Sequence, residues 1–233
     1  MNSYSSTPRH NGRLIVVEGI DGSGKGTLFT RLVPALTKIC KRKGIPLVVS
    51  KEPGGTYTGN IIRDLLFQEP TTKRMHPDLP SLLMLGSHLQ HMHEKVLPAL
   101  RNGAIVLLDR YWYSHYAYQP GRGGHQVFTL AYDLLRGPEA DLILFLRGDP
   151  FVLLERAITR QGEDHQKAKN WSNLEAQQKV LAEYDHMFAD KSNVHRLDAL
   201  DAPEAVYNNA LIGLRQLGLY LDPELERNRG AEF

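Results

Sequence analysis

An apolar run, Leu14-Ile15-Val16-Val17, leads through Glu18 into Gly19-Ile20-Asp21-Gly22-Ser23-Gly24-Lys25-Gly26-Thr27 and straight on into a stretch of helical periodicity. Few features constrain a fold as tightly. Glycines let a backbone wrap closely round an anion, and successive N–H groups at a helix N-terminus supply positive potential there. Lys25 then reaches the β and γ phosphates of a nucleotide as a point charge. The spacing therefore marks Gly19, Asp21, Gly22, Ser23, Gly24, Lys25, Gly26 and Thr27 as a phosphate cradle. A dinucleotide fingerprint fits less well, because Thr27 stands where its third glycine belongs. One position departs from the usual phosphate loop: Gly26 replaces the Ser or Thr that ligates magnesium. The metal is expected to rest on phosphates, waters and a carboxylate.

Four further apolar runs follow: Leu47-Val48-Val49, Ile105-Val106-Leu107-Leu108, Leu142 to Leu146, and the weaker Val194 to Leu197. Runs without polar alternation suit strands covered on both faces, as in a parallel sheet. Helical patterns lie between them, over 27–43 (where Pro34, lacking a backbone donor, is expected to kink the helix), over 80–101 with an apolar stripe of Leu82, Leu85, Leu89, Met92 and Val96, and from Pro203 to near Gly218. Asp149-Pro150 reads as N-cap and first helical residue, with Gly162 as the stop. Ser172 with Glu175 reads as a capping box opening a helix to about 189. Alternating strands and helices predict an α/β fold of three layers, with about five parallel strands flanked by helices. The expected organisation is a single domain over 13–222, with loose polar ends at 1–12 and 223–233.

Composition narrows the setting. Of 233 residues, 42% are hydrophobic, one is cysteine (Cys40), and the formal net charge is +2. A lone cysteine excludes an intrachain disulfide and a multi-cysteine zinc site, and fits a reducing, cytoplasmic compartment. No apolar run approaches the ~20 residues that cross a bilayer. The opening dozen residues lack the apolar stretch of a signal peptide. So mild a charge gives no argument for nucleic acid as a partner.

Three motifs in order carry a resemblance. Glu18 to Lys25, Lys51-Glu52-Pro53-Gly54-Gly55-Thr56, and Asp109-Arg110-Tyr111 with Ser114 and Ala117-Tyr118-Gln119 together resemble the thymidylate kinase family, with Gln90-His91 and Pro98-Ala99-Leu100 at matching spacing. The likeness runs from about 13 to 217. It implies the P-loop NTPase fold and ATP-dependent phosphorylation of a deoxynucleoside monophosphate, with Mg2+ as cofactor. It also implies a homodimer. In such a fold Asp21, Lys25, Lys51, Asp109 and Arg110 converge at the carboxyl edge of the sheet. The resemblance assigns Arg110 and, less directly, Arg63 to the acceptor phosphate, and Asp21 to the sugar or metal. Asp109 is expected on the phosphate or the hydrated metal, and Tyr118 beside the sugar, where it disfavours a 2′-hydroxyl. Lys51, Glu52, Pro53, Ser114 and Gln119 complete the expected acceptor site.

The chain departs from the family at the base pocket and the lid. Met84 stands where the family has a stacking phenylalanine, and His88 where it has a base-binding arginine. Being i and i+4, the two are expected to line one wall of the pocket. Methionine gives a flexible, polarizable surface, and a lost guanidinium removes a fixed donor pair. The acceptor is therefore expected to be dTMP or a related, 5-modified deoxypyrimidine monophosphate. The loop carries no arginine at 20–23, so Arg156 and Arg160, on one helix face, are candidates for stabilising the transferring phosphoryl; a lid is expected over about 156–171, with Lys167 and Lys169 inside it. His88, His91 and His93 cluster on one helix; His88 and His91 share a face but His93 points elsewhere, and no nearby carboxylate set completes a site, so no metal is expected there. Asp21 and Asp109 are the metal candidates. Two other functions fit the same motifs: a nucleoside or small-molecule kinase using Glu52 as base, and a nucleotide-binding protein of weak catalysis.

Overall fold

The computed structural model describes residues 11–68, 75–76, 78–118, 137–161 and 173–220. Among these, strands β1 (Arg13–Gly19), β2 (Leu47–Lys51), β3 (Ile105–Asp109), β4 (Leu142–Arg147) and β5 (Val194–Asp198) form one sheet in the order β2-β3-β1-β4-β5. Every pairing is parallel. All five apolar runs are strands, and the central ones are sealed from solvent: Leu14, Val16, Val17, Val106, Leu107, Leu108, Ile143 and Leu144 are fully buried. The expected α/β architecture of a parallel sheet flanked by helices is thus what the chain forms.

Helix α1 (Lys25–Lys43) follows β1 and runs through Pro34; Gly44, at φ 66°, ends it. Its apolar stripe of Leu28, Leu32, Leu36 and Ile39 packs on the sheet. Two helices fall where the sequence signalled none. Helix α2 (Tyr57–Phe67) contains Gly59, Ile61 and Ile62, which are poor helix formers, yet Thr56 caps it by accepting from the Gly59 N–H at 3.0 Å. Helix α5 (Trp112–Ala117) spans a single turn and a half, too short for periodicity to register.

The expected helix over 80–101 is not uniform. Helix α3 (Leu79–His91) passes into a π-helical turn (Met92–Val96) before α4 (Leu97–Arg101). Pro98 has no N–H and its ring crowds the carbonyl four residues back, a strain that a widened, π-helical turn relieves. The expected apolar stripe is also altered. Leu85, Met92 and Val96 are buried, but Leu82 is 48% exposed, and the face turned inward carries Ser81, Ser87, His88 and His91.

Helix α6 (Pro150–Gln161) starts as expected, with Asp149 Oδ1 accepting from the Phe151 N–H at 2.8 Å. Helix α7 (Leu174–Met187) is capped by Asn173, whose Oδ1 accepts from Ala176 N–H at 2.7 Å. With Asn173 as cap, Glu175 sits one position too early to close a capping box, and it pairs with Lys179 instead. Ser172 and Gly162 lie outside the described residues. Helix α8 (Pro203–Gln216) ends before Gly218, at φ 71°. At the N-terminal end, Gly12 is anchored: its N–H donates to Leu100 O at 3.0 Å, and a Cβ there would meet Ala104 O.

Candidate active site

Strand register brings the signal residues together. Lys51 pairs with Asp109, and Asp109 with Val17, so β2, β3 and β1 end side by side. The chain visits β2 and β3 on one side of β1, then β4 and β5 on the other. Ligands bind at such a divide, outside the carboxyl ends of the strands.

The loop 19–24 closes round the start of α1. Gly22 (φ 82°) and Gly24 (φ 89°) hold left-handed backbone, and a Cβ on Gly22 would overlap Leu153 O. Lys25 Nζ donates to Gly19 O at 2.9 Å and Ile20 O at 2.8 Å. Burial, then the nearby Arg110 cation, pull its ammonium down to about 7 against the opposing pull of Asp21, Asp109 and Glu18. A cavity of about 250 Å³ opens beside the loop, lined by Gly22, Ser23, Gly24, Thr27, Arg156 and Arg160 and closed by Ala199 and Pro203. Arg156 Nη1 donates to Ala199 O at 2.6 Å. Gly26 is exposed, and a Cβ there would meet nothing within 4 Å.

Arg110 is the hub of a second cavity. It alone among the described non-glycine residues has positive φ, at 68°, a conformation that costs about 1–2 kcal/mol for an L-residue. What holds it is visible. Its N–H donates to Val17 O at 3.0 Å, and the next N–H, of Tyr111, donates to Glu18 Oε1 at 2.8 Å. Its guanidinium reaches Gly19 O at 3.2 Å and Ser114 Oγ at 3.0 Å through Nη1, and Asp21 Oδ1 and Tyr118 Oη through Nη2. Burial raises the Asp21 carboxyl, but Arg110, then Lys25 and Arg160, outweigh it and hold it below its ordinary range. Behind Arg110, Glu18 Oε2 accepts from Ser114 Oγ at 2.7 Å and Tyr184 Oη at 2.8 Å. Glu18 is fully buried, and that burial lifts its carboxyl above the usual value despite Arg110.

The second cavity, about 200 Å³, is lined by Asp21, Arg63, Arg110, Ser114 and Tyr118 at its polar end and by Pro53, Phe67 and Met84 with Glu52 and His115 at the other. Arg63 donates to Pro53 O at 3.0 Å and lies over the Phe67 ring. Burial, then Arg110, lower its guanidinium.

Beneath this floor lies a buried polar cluster. Glu52 Oε1 meets His91 Nδ1 at 2.8 Å, both carboxylate oxygens meet His88 Nδ1 at 3.1 and 3.0 Å, and Oε2 lies 3.6 Å from His115 Nε2. His91 Nε2 bonds Ser50 Oγ at 2.8 Å. Burial raises the Glu52 carboxyl, but His88, His91 and His115 more than reverse it and keep it ionised. Burial pushes the His115 imidazole down to about 4.

Most of the expected site residues therefore meet at one edge, in two adjoining cavities. The exceptions are specific. His88 does not line the cavity wall beside Met84; it is 2% exposed and lies behind Glu52, because the face of α3 that carries it packs inward. Lys51 is exposed at the end of β2 and lines neither cavity, and Gly19, Lys25, Gly26 and Asp109 lie at the same edge without lining either. Gln119, Lys167 and Lys169, and most of the expected lid, lie outside the described residues. Sequence reasoning missed Glu18, His115, Phe67 and Tyr184 as site residues. A carboxylate directly after the apolar run Leu14–Val17 of β1 was the available signal for Glu18. Tyr184 carried none, since only folding brings α7 to β1.

A magnesium ion would find a matching group here. Asp109 Oδ1 is buried with no hydrogen-bond partner among the described residues, an acceptor suited to a metal-bound water. Asp21 also faces this edge but is engaged by Arg110.

Comparison with known proteins agrees with this geometry. A family model described as thymidylate kinase matches residues 17–210. The thymidylate kinase of Francisella tularensis subsp. tularensis (strain SCHU S4 / Schu 4) is 28% identical over 197 residues, 83% of this chain and 91% of that relative. Its counterpart in subsp. holarctica (strain LVS) is 32% identical over 148 residues, 62% of this chain and 69% of the relative. That of Francisella philomiragia subsp. philomiragia is 28% identical over 197 residues, 83% of this chain and 93% of the relative.

Proposed function

The chain belongs to the thymidylate kinase family of phosphotransferases, and from that premise we propose that it transfers the γ-phosphoryl of ATP to dTMP or a 5-modified deoxypyrimidine monophosphate. The observation that carries this reading is the convergence of Lys25 and Arg110 on one edge: both donate to Gly19 O, Lys25 directly after the loop glycines that line the first cavity and Arg110 in the wall of the second. The cavity at the glycine loop takes the donor. Loop N–H groups and Lys25 hold its β and γ phosphates, and Arg156 and Arg160 stabilise charge on the transferring group.

The second cavity takes the acceptor. Arg110 grips its phosphate, with Arg63 beside it, and Asp21 and Tyr118 meet the deoxyribose. Met84, Phe67 and Pro53 flank the base above Glu52 and His115. The attacking phosphate oxygen is already anionic, so in-line displacement at the γ phosphorus needs no strong base. Glu52 lines this cavity, but its carboxylate is engaged by His88 and His91 and held below its ordinary range, a poor base, which supports a phosphate acceptor over a hydroxyl one. Asp109 would hold Mg2+ through water, with Asp21 as the second candidate. The ion, when bound, would offset negative charge on the phosphates during transfer.

Tyr57, Ile61 and Leu82 leave apolar side chains exposed on α2 and α3, and these faces are proposed to pair two copies of the chain. No helix among the described residues is long and apolar enough to cross a membrane. A cytoplasmic location, with no nucleic-acid partner, is part of the proposal.

Assaying natural and 5-substituted deoxynucleoside monophosphates with ATP and Mg2+ tests the function. A diphosphate product from a deoxypyrimidine monophosphate, at a kcat/KM well above that for the unphosphorylated nucleoside, is expected. Phosphorylation of the nucleoside alone, or ATP binding with no transfer, would overturn it.

A further inference from the structure

The carboxylate and imidazoles beneath the acceptor cavity have more in common than hydrogen bonding. Glu52 is contributed by the turn after β2, His88 by α3 and His115 by α5, and all three are buried. One ligand atom from each lies within 4.8 Å of the others. Around Glu52 Oε2 the separations are 3.0 Å to His88 Nδ1 and 3.6 Å to His115 Nε2. Ligands at ~2.0–2.2 Å round a tetrahedral zinc ion stand roughly 3.3–3.5 Å apart, so two of the three spacings already bracket the coordination value. The third closes with side-chain adjustment of the order of 1 Å.

The surroundings are those of a metal centre. His91 holds Glu52 Oε1 through Nδ1 and is itself fixed by Ser50 Oγ, which orients the carboxylate so that Oε2 faces His115 while His88 Nδ1 lies near both oxygens. Two histidines and one glutamate are a donor set that divalent zinc and iron favour, with a further position left for a small ligand. Because Glu52 and His115 also line the acceptor cavity, that position would open towards it.

We propose that Glu52, His88 and His115 form a binding site for a first-row divalent transition metal, Zn2+ foremost, separate from the magnesium of phosphoryl transfer. His91 positions Glu52, and His93, exposed on the far side of the helix, has no part in it. The site stands independently of the kinase reading.

The test uses the full chain without a histidine tag, stripped with chelator and titrated with Zn2+ or Co2+ alone, no nucleotide being present. One equivalent is expected to bind. Co2+ is expected to show the visible absorption of a four- or five-coordinate ion, and Zn2+ to raise the melting temperature. His115→Asn and His88→Asn are expected to abolish that equivalent. His91→Asn should weaken it by roughly 10–100-fold, as loss of an outer-shell partner does. His93→Asn should leave it unchanged. Elemental analysis of protein purified anaerobically separates zinc from iron(II). Failure of the wild-type chain to take up any of these ions overturns the proposal even if the variants do not fold, as does uptake that survives both ligand substitutions. Either result leaves the phosphotransfer assay with ATP and Mg2+ as it stands.

Discussion

Lys25 and Arg110 donate to the same atom: the carbonyl oxygen of Gly19 lies 2.9 Å from Nζ of one and 3.2 Å from Nη1 of the other. The phosphate loop and the strand end that follows β3 are thereby tied at one point. Burial and the proximity of Arg110 are also why the Lys25 ammonium falls to about 7.

That depression has a measurable consequence. A lysine whose folded pKa lies below its unfolded value binds fewer protons when folded, so between about 7 and 10.5 stability rises with pH. Lys25→Met is expected to flatten this slope in thermal melts of the nucleotide-free protein. A polyphosphate beside Lys25 restores the ammonium, so ATP binding near pH 8.5 should take up most of one proton. Calorimetry in buffers of different ionisation enthalpy reads this directly, and Lys25→Met should take up none.

Arg110→Lys keeps a positive charge but loses the fork that meets Gly19, Ser114, Asp21 and Tyr118 together. The expected result is a fall of about 100-fold in kcat/KM for the acceptor, near 3 kcal/mol. The KM for ATP should change by less than about 3-fold, because Arg110 faces the other cavity. An equal loss on both substrates would count against the division of the site.

Gly26 is not required by space, since a side chain there meets nothing within 4 Å. It lies in the first turn of α1, where Gly→Ala is expected to stabilise by about 0.5–1 kcal/mol. Gly26→Ser supplies a hydroxyl as well. Comparing the two isolates the metal: the serine variant should reach half-maximal rate at lower Mg2+ than either wild type or Gly26→Ala.

The architecture was largely legible, because fully buried parallel strands write themselves as unbroken apolar runs and the glycine loop fixes what joins the first strand to its helix. Helices α2 and α5 were not, one being built from poor helix formers behind a good cap and the other too short for a period. The site was legible where motifs are local, as in Asp109-Arg110 and Gly22 to Lys25. It was not where partners come from distant segments. His88 was expected in a cavity wall and lies behind Glu52, since spacing along α3 gives a shared face but not which neighbour that face meets. His91 and His115 gain meaning only beside Glu52.

Exposed Tyr57, Ile61 and Leu82 give α2 and α3 an apolar outer face that a lone chain has little reason to keep. Leu82→Glu is expected to convert a dimer into monomers in sedimentation equilibrium while leaving the melting temperature of dilute protein almost unchanged, because the side chain is 48% exposed. A wild-type chain that sediments as a monomer at high concentration would remove the interface.

Tyr184 tests how far support for Arg110 reaches. Its hydroxyl lies 2.7 Å from Ser114 Oγ and 2.8 Å from Glu18 Oε2, while Ser114 receives the guanidinium. Tyr184→Phe takes one donor from a buried carboxylate, expected to cost about 1–3 kcal/mol in denaturant unfolding. It also frees Ser114 to rotate, so acceptor KM should rise several-fold with kcat and ATP KM close to wild type. A purely structural tyrosine would lower the melting temperature and move neither constant; a shift confined to the acceptor identifies Tyr184 as a residue that positions Arg110 from a helix far from it in sequence.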